Sequence, residues 1–328
     1  MQTDFEKIHQ LLTNSEANGK VALQLLKGQP DLQKKVEVYF ASLLDIFNKN
    51  KIAAIPSIIK KIRAEKEPKK QFLPLLQDPV FSKLLRDRER LTIKNYPIEA
   101  LFHLGEFLEL KRLEIHDNKS LTQLPSSLGN FPALDLFRLY SNKIKEIPAS
   151  FFDGLEEVKS LHLNDNKLVA LPKSLENLKK LELLNLSKNE LESIPDYIGL
   201  FPELKSLYIS RNKLSTLPSS LQNLENLEEV DLSYNKKMTV IPDFFVEMKA
   251  LKRLDLTNNG FKKLPENLDQ LSQVRLLNLN NNKLTTLPES ITNMKNLGGL
   301  LLYHNPISKD EQKRIEALLP NTSISFSS

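Results

Sequence analysis

Pairs of Leu-Pro or Ile-Pro recur every 23 or 24 residues from residue 124 to residue 288 of this sequence. This spacing constrains the fold more than any other feature. The pairs are Leu124-Pro125, Ile147-Pro148, Leu171-Pro172, Ile194-Pro195, Leu217-Pro218, Ile241-Pro242, Leu264-Pro265 and Leu287-Pro288. An Asn keeps the same spacing at Asn118, Asn142, Asn166, Asn189, Asn212, Asn235, Asn259, Asn282 and Asn305. Such self-similarity predicts a stack of equivalent structural units.

One frame surrounds each Asn and can be written LxxLxLxxNxLxxLPxxLxxL, as in residues 161–168 and 254–261. The LxL alternation predicts a short strand with both apolar side chains on one face, and stacked repeats pair these strands into a parallel sheet. A single repeat cannot bury its Leu face, so its stability comes from its neighbours. The core is aliphatic, since aromatic residues make up 7% of the chain and Trp is absent.

The Asn and Pro residues of the frame are predicted to be structural. The Asn amide can bond backbone groups that water cannot reach, so we assign this role to all nine, although Asn118-Lys119-Ser120 and Asn185-Leu186-Ser187 match a glycosylation sequon. Pro fixes φ and removes a donor, which favours an extended connector on the convex side. The extra residue of the 24-residue repeats is expected to bulge there, for example at residues 149–154.

This frame resembles the leucine-rich repeat family, in the subclass with 23-residue repeats and a convex Leu-Pro, and in particular bacterial members such as those of spirochaetes. The resemblance covers about residues 108–328 and rests on nine copies in register. It implies an α/β repeat solenoid shaped like a horseshoe, with a parallel concave sheet that binds another protein. We expect a role as adaptor, inhibitor or effector.

The two ends differ from the repeats. Residues 1–107 lack the frame and carry apolar clusters at helical intervals, which predicts an all-helical N-terminal head, followed by nine repeats over 108–305. In the C-terminal cap, 306–328, Ser308 and Glu311 form a capping box that opens a helix, Pro320 stops it, and residues 323–326 alternate like an edge strand. This ending resembles the caps of bacterial leucine-rich repeat proteins, so we expect the chain to be complete there.

Composition narrows the function further. The absence of Cys excludes disulfides and thiolate chemistry, and we expect no cofactor. Residues 1–110 contain 18 Lys and Arg against 14 Asp and Glu, and the remainder 28 against 27, so nucleic acid is not an expected partner. The sequence contains no secretory signal and no apolar run of the ~18 residues that a membrane helix needs. We therefore expect a cytoplasmic monomer without membrane insertion, and export by a signal-less route stays an alternative.

Strand residues between the apolar ones should face the concave side, where three clusters of candidate partner-binding residues stand out. Cluster 1 contains His116, Arg138, Tyr140 and His162; cluster 2 contains Tyr208, Asp231, Tyr234, Arg253 and Asp255; cluster 3 contains Leu276, Leu301 and Tyr303. Aromatic and Arg side chains are common interface hot spots. We favour cluster 2, although its Asp and Arg residues are equally compatible with a solvated ion-pair group.

Three other functions compete with protein binding. An enzyme is disfavoured because no nucleotide-binding, hydrolase or zinc-protease motif occurs. His162 beside Asp165 or Ser187 could be drawn as an acid–base group, but it would lie on an open face, so we assign no catalytic residues. A metal site is disfavoured because Asp231 and Asp255 alone make a weak Ca²⁺ cage. An exported, adhesin-like surface protein that binds host matrix or glycan is the remaining alternative.

Overall fold

The fold is a solenoid built on one continuous parallel sheet. The structure is a computed structural model that describes residues 89–94, 109–124 and 131–326. Within these residues the sheet has eleven strands in strict sequence order. They are β1 Arg90–Lys94, β2 Arg112–His116, β3 Leu136–Tyr140, β4 Ser160–His162, β5 Leu183–Asn185, β6 Ser206–Tyr208, β7 Glu229–Asp231, β8 Arg253–Asp255, β9 Leu276–Asn278, β10 Gly299–Leu301 and β11 Ser323–Ser325.

The register of the sheet follows the repeat. Leu207 of β6 pairs with Leu184 of β5 and Val230 of β7, and in every strand from β4 to β10 the apolar middle residue stacks on its equivalent in the next repeat. These residues are at most 2% exposed, and they join the convex Leu, Ile and Phe side chains in one continuous core. The parallel sheet predicted from the LxL alternation is confirmed. The core is mainly aliphatic, as expected from composition, but it also contains fully buried Phe side chains such as Phe152, Phe201 and Phe261.

The repeated Asn residues form a ladder of hydrogen bonds between repeats. Asn212 donates to the carbonyl oxygens of Leu186 and Ile209, both at 3.0 Å, and its amide oxygen accepts the Leu191 N–H at 3.0 Å. The Leu186 carbonyl also accepts from Asn189 at 2.9 Å, so neighbouring ladder residues share acceptors. All nine Asn side chains donate to backbone carbonyl oxygens in this way, which confirms their structural role.

The residue before each ladder Asn has left-handed backbone geometry, which the sequence pattern did not reveal. These residues are Asp117, Ser141, Asp165, Lys188, Arg211, Tyr234, Asn258, Asn281 and His304, with φ between 52° and 60°. None is Gly, so each holds a conformation that L residues seldom adopt. The N–H of Arg211 bonds the Ser233 carbonyl of the next repeat at 2.8 Å, and the same inter-repeat bond holds Lys188 and Tyr234. Packing between repeats therefore stabilises the turn that ends each strand.

The convex side contains short 3-10 helices, and all but Leu268–Gln270 begin directly after the regularly spaced Pro. They are Lys173–Asn177, Asp196–Leu200, Ser219–Asn223, Asp243–Glu247, Leu268–Gln270 and Glu289–Asn293. Pro172 and Pro218 have extended backbone with φ of −74° and −71°, as their ring requires. The Pro residues are thus extended, as predicted, but a 3-10 turn follows them at once.

The extra residue of the 24-residue repeats occupies two different places. Between Asn142 and Asn166 it lies in the convex turns of residues 149–154, where Gly154 has φ 81°, as expected. After Asn118 and Asn235 it lies next to the Asn itself, so the expected convex bulge is wrong for those two repeats. There the Asn backbone N–H takes over as donor to the next ladder amide, as Asn235 does to Asn259 at 2.7 Å.

The N-terminal prediction needs correction and the C-terminal one is confirmed. Residues 90–94 form a strand that pairs with β2, so the segment 1–107 is not all-helical and the sheet begins before residue 108. The rest of the predicted head, up to residue 107, lies outside the described residues apart from residue 89. At the other end, Ser308 caps α1 (Lys309–Leu318), and β11 adds the expected edge strand beside β10.

Arg314 and Glu311 fasten this cap to the last repeats. The Glu311 carboxylate accepts from Arg314 at 2.8 Å and from the Thr286 hydroxyl at 2.7 Å. Arg314 also donates to the Leu287 carbonyl at 2.8 Å. The guanidinium, with help from Thr286 and the Leu287 N–H, lowers the pKa of Glu311 to about 2.

Candidate functional site

The strand register brings the predicted concave residues into columns. The central column runs Thr92, Glu114, Arg138, His162, Asn185, Tyr208, Asp231, Asp255, Asn278, Leu301 and Ser325. Neighbouring members sit on adjacent strands, about 4.8 Å apart. The order predicted from the sequence is therefore confirmed, and the strands β1 and β11 extend it at both ends.

Cluster 1 surrounds a buried carboxylate. Glu114 is 6% exposed and accepts from Arg90 at 3.1 Å and from Arg138 at 3.3 Å. Beside this triad the rings of His116 and Tyr140 stack in parallel, with centroids 4.9 Å apart and planes 3° apart. The sequence identified Arg138, Tyr140 and both His residues, but it missed Arg90, because the strand carrying it was assigned to the helical head.

His162 completes cluster 1 and is held in its neutral form. Burial lowers the pKa of its imidazole, the positive charge of Arg138 lowers that pKa further, and Glu114 opposes both effects weakly. Its Nε2 lies 3.1 Å from the Ser160 hydroxyl. The ring therefore adds a neutral hydrogen-bonding group rather than a further positive charge at neutral pH.

Cluster 2 is a linked polar group in which Glu229, absent from the sequence-based set, is central. The Tyr208 hydroxyl donates to Glu229 at 2.8 Å, and Arg253 lies 3.8 Å from the other oxygen of the same carboxylate. Burial and the bond to Glu229 raise the pKa of Tyr208. The alternative of an ion-pair group between Arg253 and the two Asp residues is not what the structure has, since the carboxylate nearest Arg253 is that of Glu229.

The two Asp residues of cluster 2 hold turns instead. The Asp231 carboxylate accepts the Ser233 N–H at 2.9 Å, and the Asp255 carboxylate accepts the Thr257 N–H at 2.8 Å and the Asn278 amide at 3.0 Å. These contacts are Asx turns at the strand ends. Concave positions in this column therefore contribute to the fold, and their identity is less free for recognition than the sequence suggested.

Tyr234 does not lie in the concave columns but among the left-handed residues that precede each ladder Asn. It occupies the left-handed position that follows β7, with φ 60°. The guanidinium of Arg211 lies over its ring at 4.0 Å from the centroid. Cation–π pairs of this kind add about 0.5–1 kcal/mol at exposed sites. Tyr234 therefore borders cluster 2 from the strand-exit side.

Cluster 3 is the apolar end of the face. Leu276 and Leu301 are half-buried, and Tyr303 is 43% exposed. The concave positions of β9 and β10 carry no charged side chain, since their other members are Asn278, Asn280 and Gly299. A partner surface here meets apolar side chains, amide groups and the exposed Tyr303 ring with its hydroxyl group.

Just before the strands, charges of opposite sign alternate from repeat to repeat. Lys111 pairs with Glu89 at 2.7 Å, and Lys252 pairs with Glu228 at 2.7 Å. Lys205 binds Glu182 at 2.8 Å, and this bond lowers the pKa of Glu182. These exposed ion pairs balance most of the charge along the strand-entry edge.

Two features of residues 89–94, 109–124 and 131–326 bear on rival functions. Among those residues, no group of three or more His, Asp or Glu side chains is arranged to hold a metal ion. In the same residues, no helix combines the length and apolar character needed to cross a bilayer.

The sequence profile described as leucine rich repeat matches residues 108–168, 132–191, 156–214 and 202–261, and a second profile of that description matches 273–294. The strand order, Asn ladder and core agree with this match. The chain belongs to the leucine-rich repeat family. This assignment indicates a protein-binding repeat module. A comparison with curated protein sequences found no significant match.

Solved leucine-rich repeat structures resemble the fold. An internalin from Listeria monocytogenes is 19% identical, with a TM-score of 0.52 over 77% of this chain and 91% of its own. TLR13, in a complex with ssRNA13, is 23% identical, with a TM-score of 0.63 over 75% of this chain and 37% of its own. A leucine-rich repeat protein of Leptospira interrogans is 26% identical, with a TM-score of 0.37 over 77% of this chain and 87% of its own.

Proposed function

We propose that this leucine-rich repeat chain binds a protein partner on its concave face and acts there as an adaptor, inhibitor or effector rather than as an enzyme. The observation that carries the proposal is the face itself. Eleven strands at about 4.8 Å spacing give a surface roughly 50 Å long. A typical protein interface buries about 800 Å² per partner, which this surface can supply.

The chemistry of the face supports recognition rather than catalysis. Tyr208, Arg253, Tyr140 and Tyr303 combine flat or amphipathic groups with partial exposure, as interface anchors do. His162, the concave histidine that was considered as an acid–base group, bonds Ser160 rather than Asp165 or Ser187. The face is open, whereas catalytic sites exclude water.

Affinity capture with paired variants tests the proposal. Tyr208→Ala/Arg253→Glu alters cluster 2 without removing the turn-holding Asp residues, and it is expected to reduce recovery of the partner. Leu200→Ala/Lys173→Glu changes a similar pair of exposed residues on the convex 3-10 helices and should leave recovery unchanged. Equal recovery from both variants and the unaltered chain would refute docking at cluster 2.

Nuclease treatment before capture distinguishes a protein from RNA. The complex named for TLR13 contains single-stranded RNA, so the fold is compatible with both classes of ligand. We expect the partner to survive nuclease and to be a polypeptide. Loss of all concave-dependent recovery after nuclease treatment would assign the face to RNA.

A further inference from the structure

Positive charge is concentrated on the concave side of β1–β3. Arg90 and Arg112 are neighbours in one column, and Arg138 lies one column away on β3. Glu114 is the one carboxylate within the concave columns of these three strands, and it is shared between Arg90 and Arg138. Arg112 makes no ion pair with a described residue. The concave positions of β1–β3 therefore hold three arginines and one buried carboxylate, and this group of four residues carries a net positive charge.

The arginines keep donors available although two of them contact Glu114. The Arg90 side chain is 61% exposed and the Arg138 side chain 38%, and each contacts the carboxylate through a single terminal nitrogen. A guanidinium has five N–H donors, so most of them stay free for a ligand. Glu89, the nearest acid on the strand-entry edge, is already bonded to Lys111 at 2.7 Å. Glu114 thus orients two arginines without saturating them.

From these contacts we infer that β1–β3 receive an acidic segment of the protein partner, whose carboxylates bind Arg90, Arg112 and Arg138. This inference rests on the proposed function and adds the chemistry of the partner. Arg forks match carboxylates in geometry and bind them more strongly than a neutral donor does.

The arrangement of the arginines favours several carboxylates over one phosphate. Arg90 and Arg138 converge on one oxygen of Glu114, at 3.1 and 3.3 Å, so the point between these two guanidinium groups is already occupied by a negative charge. Arg112 takes no part in this contact, and a run of Asp or Glu can meet it and the remaining N–H groups of the other two arginines in turn. Neutral His162 next to Arg138 adds a hydrogen-bonding group at the edge of the cluster.

The rest of the face directs an acidic segment to β1–β3. At β7 and β8 the concave columns carry Glu229, Asp231 and Asp255 against Arg253, a net negative charge that repels carboxylates. The columns of β9 and β10 carry no charge. The charge gradient therefore fixes which end of an elongated partner lies over the first strands.

Binding of a fluorescent hexaglutamate peptide to the whole chain tests the inference. We expect saturable binding that weakens with added salt, while hexalysine does not bind. Arg112→Gln/Arg138→Gln should weaken hexaglutamate binding about tenfold, through the loss of two ion pairs. Arg253→Gln removes an Arg from the same column as Arg112 and should change binding by less than about twofold.

Several outcomes would overturn the inference. The first is that hexaglutamate does not bind, and the second is that Arg253→Gln weakens hexaglutamate binding as much as Arg112→Gln/Arg138→Gln does. The third is that the chain binds only a phosphoserine peptide or a single-stranded oligonucleotide. Because Arg138 contacts buried Glu114, Arg112→Gln alone serves as a second variant that breaks no described ion pair. Unchanged hexaglutamate binding in this folded variant would also refute it. If hexaglutamate fails while partner capture still depends on cluster 2, the inference fails and the proposed function stands.

Discussion

The substitution Asn212→Ala, which removes one residue of the Asn ladder, should lower the free energy of unfolding by about 2–4 kcal/mol. The hydrogen bonds of Asn212 explain this magnitude. The substitution orphans the buried Leu191 N–H completely, which costs about 1–3 kcal/mol. The carbonyls of Leu186 and Ile209 each lose one of two donors, because Asn189 and Asn235 still reach them. Asn212→Asp should cost more, since its carboxylate would face the same two carbonyl oxygens.

Urea unfolding of the three chains gives the stability difference, and hydrogen exchange locates it. The Leu191 amide should exchange faster in Asn212→Ala than in the unaltered chain, while amides of distant repeats keep their rates. Asn223→Ala is the matched control, because Asn223 is exposed on a convex 3-10 helix. If Asn212→Ala lies within about 0.5 kcal/mol of this control, the ladder does not stabilise the fold as argued.

Three further predictions concern packing and titration. Gly199→Ala should destabilise by about 1–3 kcal/mol in thermal or urea unfolding, because its Cβ would overlap the Ser220 carbonyl of the next repeat. Gly298→Ala should be tolerated, because its Cβ would lie 3.6 Å from the Arg275 carbonyl oxygen, an ordinary van der Waals contact; equal effects of the two substitutions would contradict the packing. The free energy of unfolding should decrease as the pH falls from 4.5, the ordinary pKa of a Glu, toward the pKa of about 2 of Glu311. Glu311→Gln should lessen this decrease, and an unchanged dependence of stability on acid pH in that variant would refute the link. In an NMR titration, Arg138→Gln should raise the pKa of His162, and a lowered value would contradict the stated cause.

The repeat made most of the fold predictable. The spacing of Leu, Asn and Pro determined the strands, their register and the inward side chains, because each repeat packs only on its neighbours. The first strand was missed because position 96, which aligns with Asn118, holds Tyr, so the Asn spacing does not extend to β1. Leu91 and Ile93 were nevertheless visible as the LxI strand signal.

The details of the candidate site depended on contacts that spacing does not encode. The columns followed from side-chain alternation, but alternation cannot show which carboxylate an Arg selects, and Arg253 pairs with Glu229. Asp231 holds a turn because the backbone changes direction after the strand, and the left-handed residues determine that change of direction. Binding by the named residues stays a prediction until a partner is measured.

Blocking the concave face directly is the most decisive measurement, and the absence of native Cys makes it straightforward. A polyethylene-glycol maleimide attached to Ser206→Cys would cover the middle of the concave sheet. The control is the same label on Glu203→Cys, because Glu203 is exposed and lies outside the strand, three residues before Ser206. We predict that the Ser206 label abolishes binding of the captured partner and that the Glu203 label leaves it intact. Undiminished binding with the Ser206 label would show that recognition lies elsewhere on the molecule.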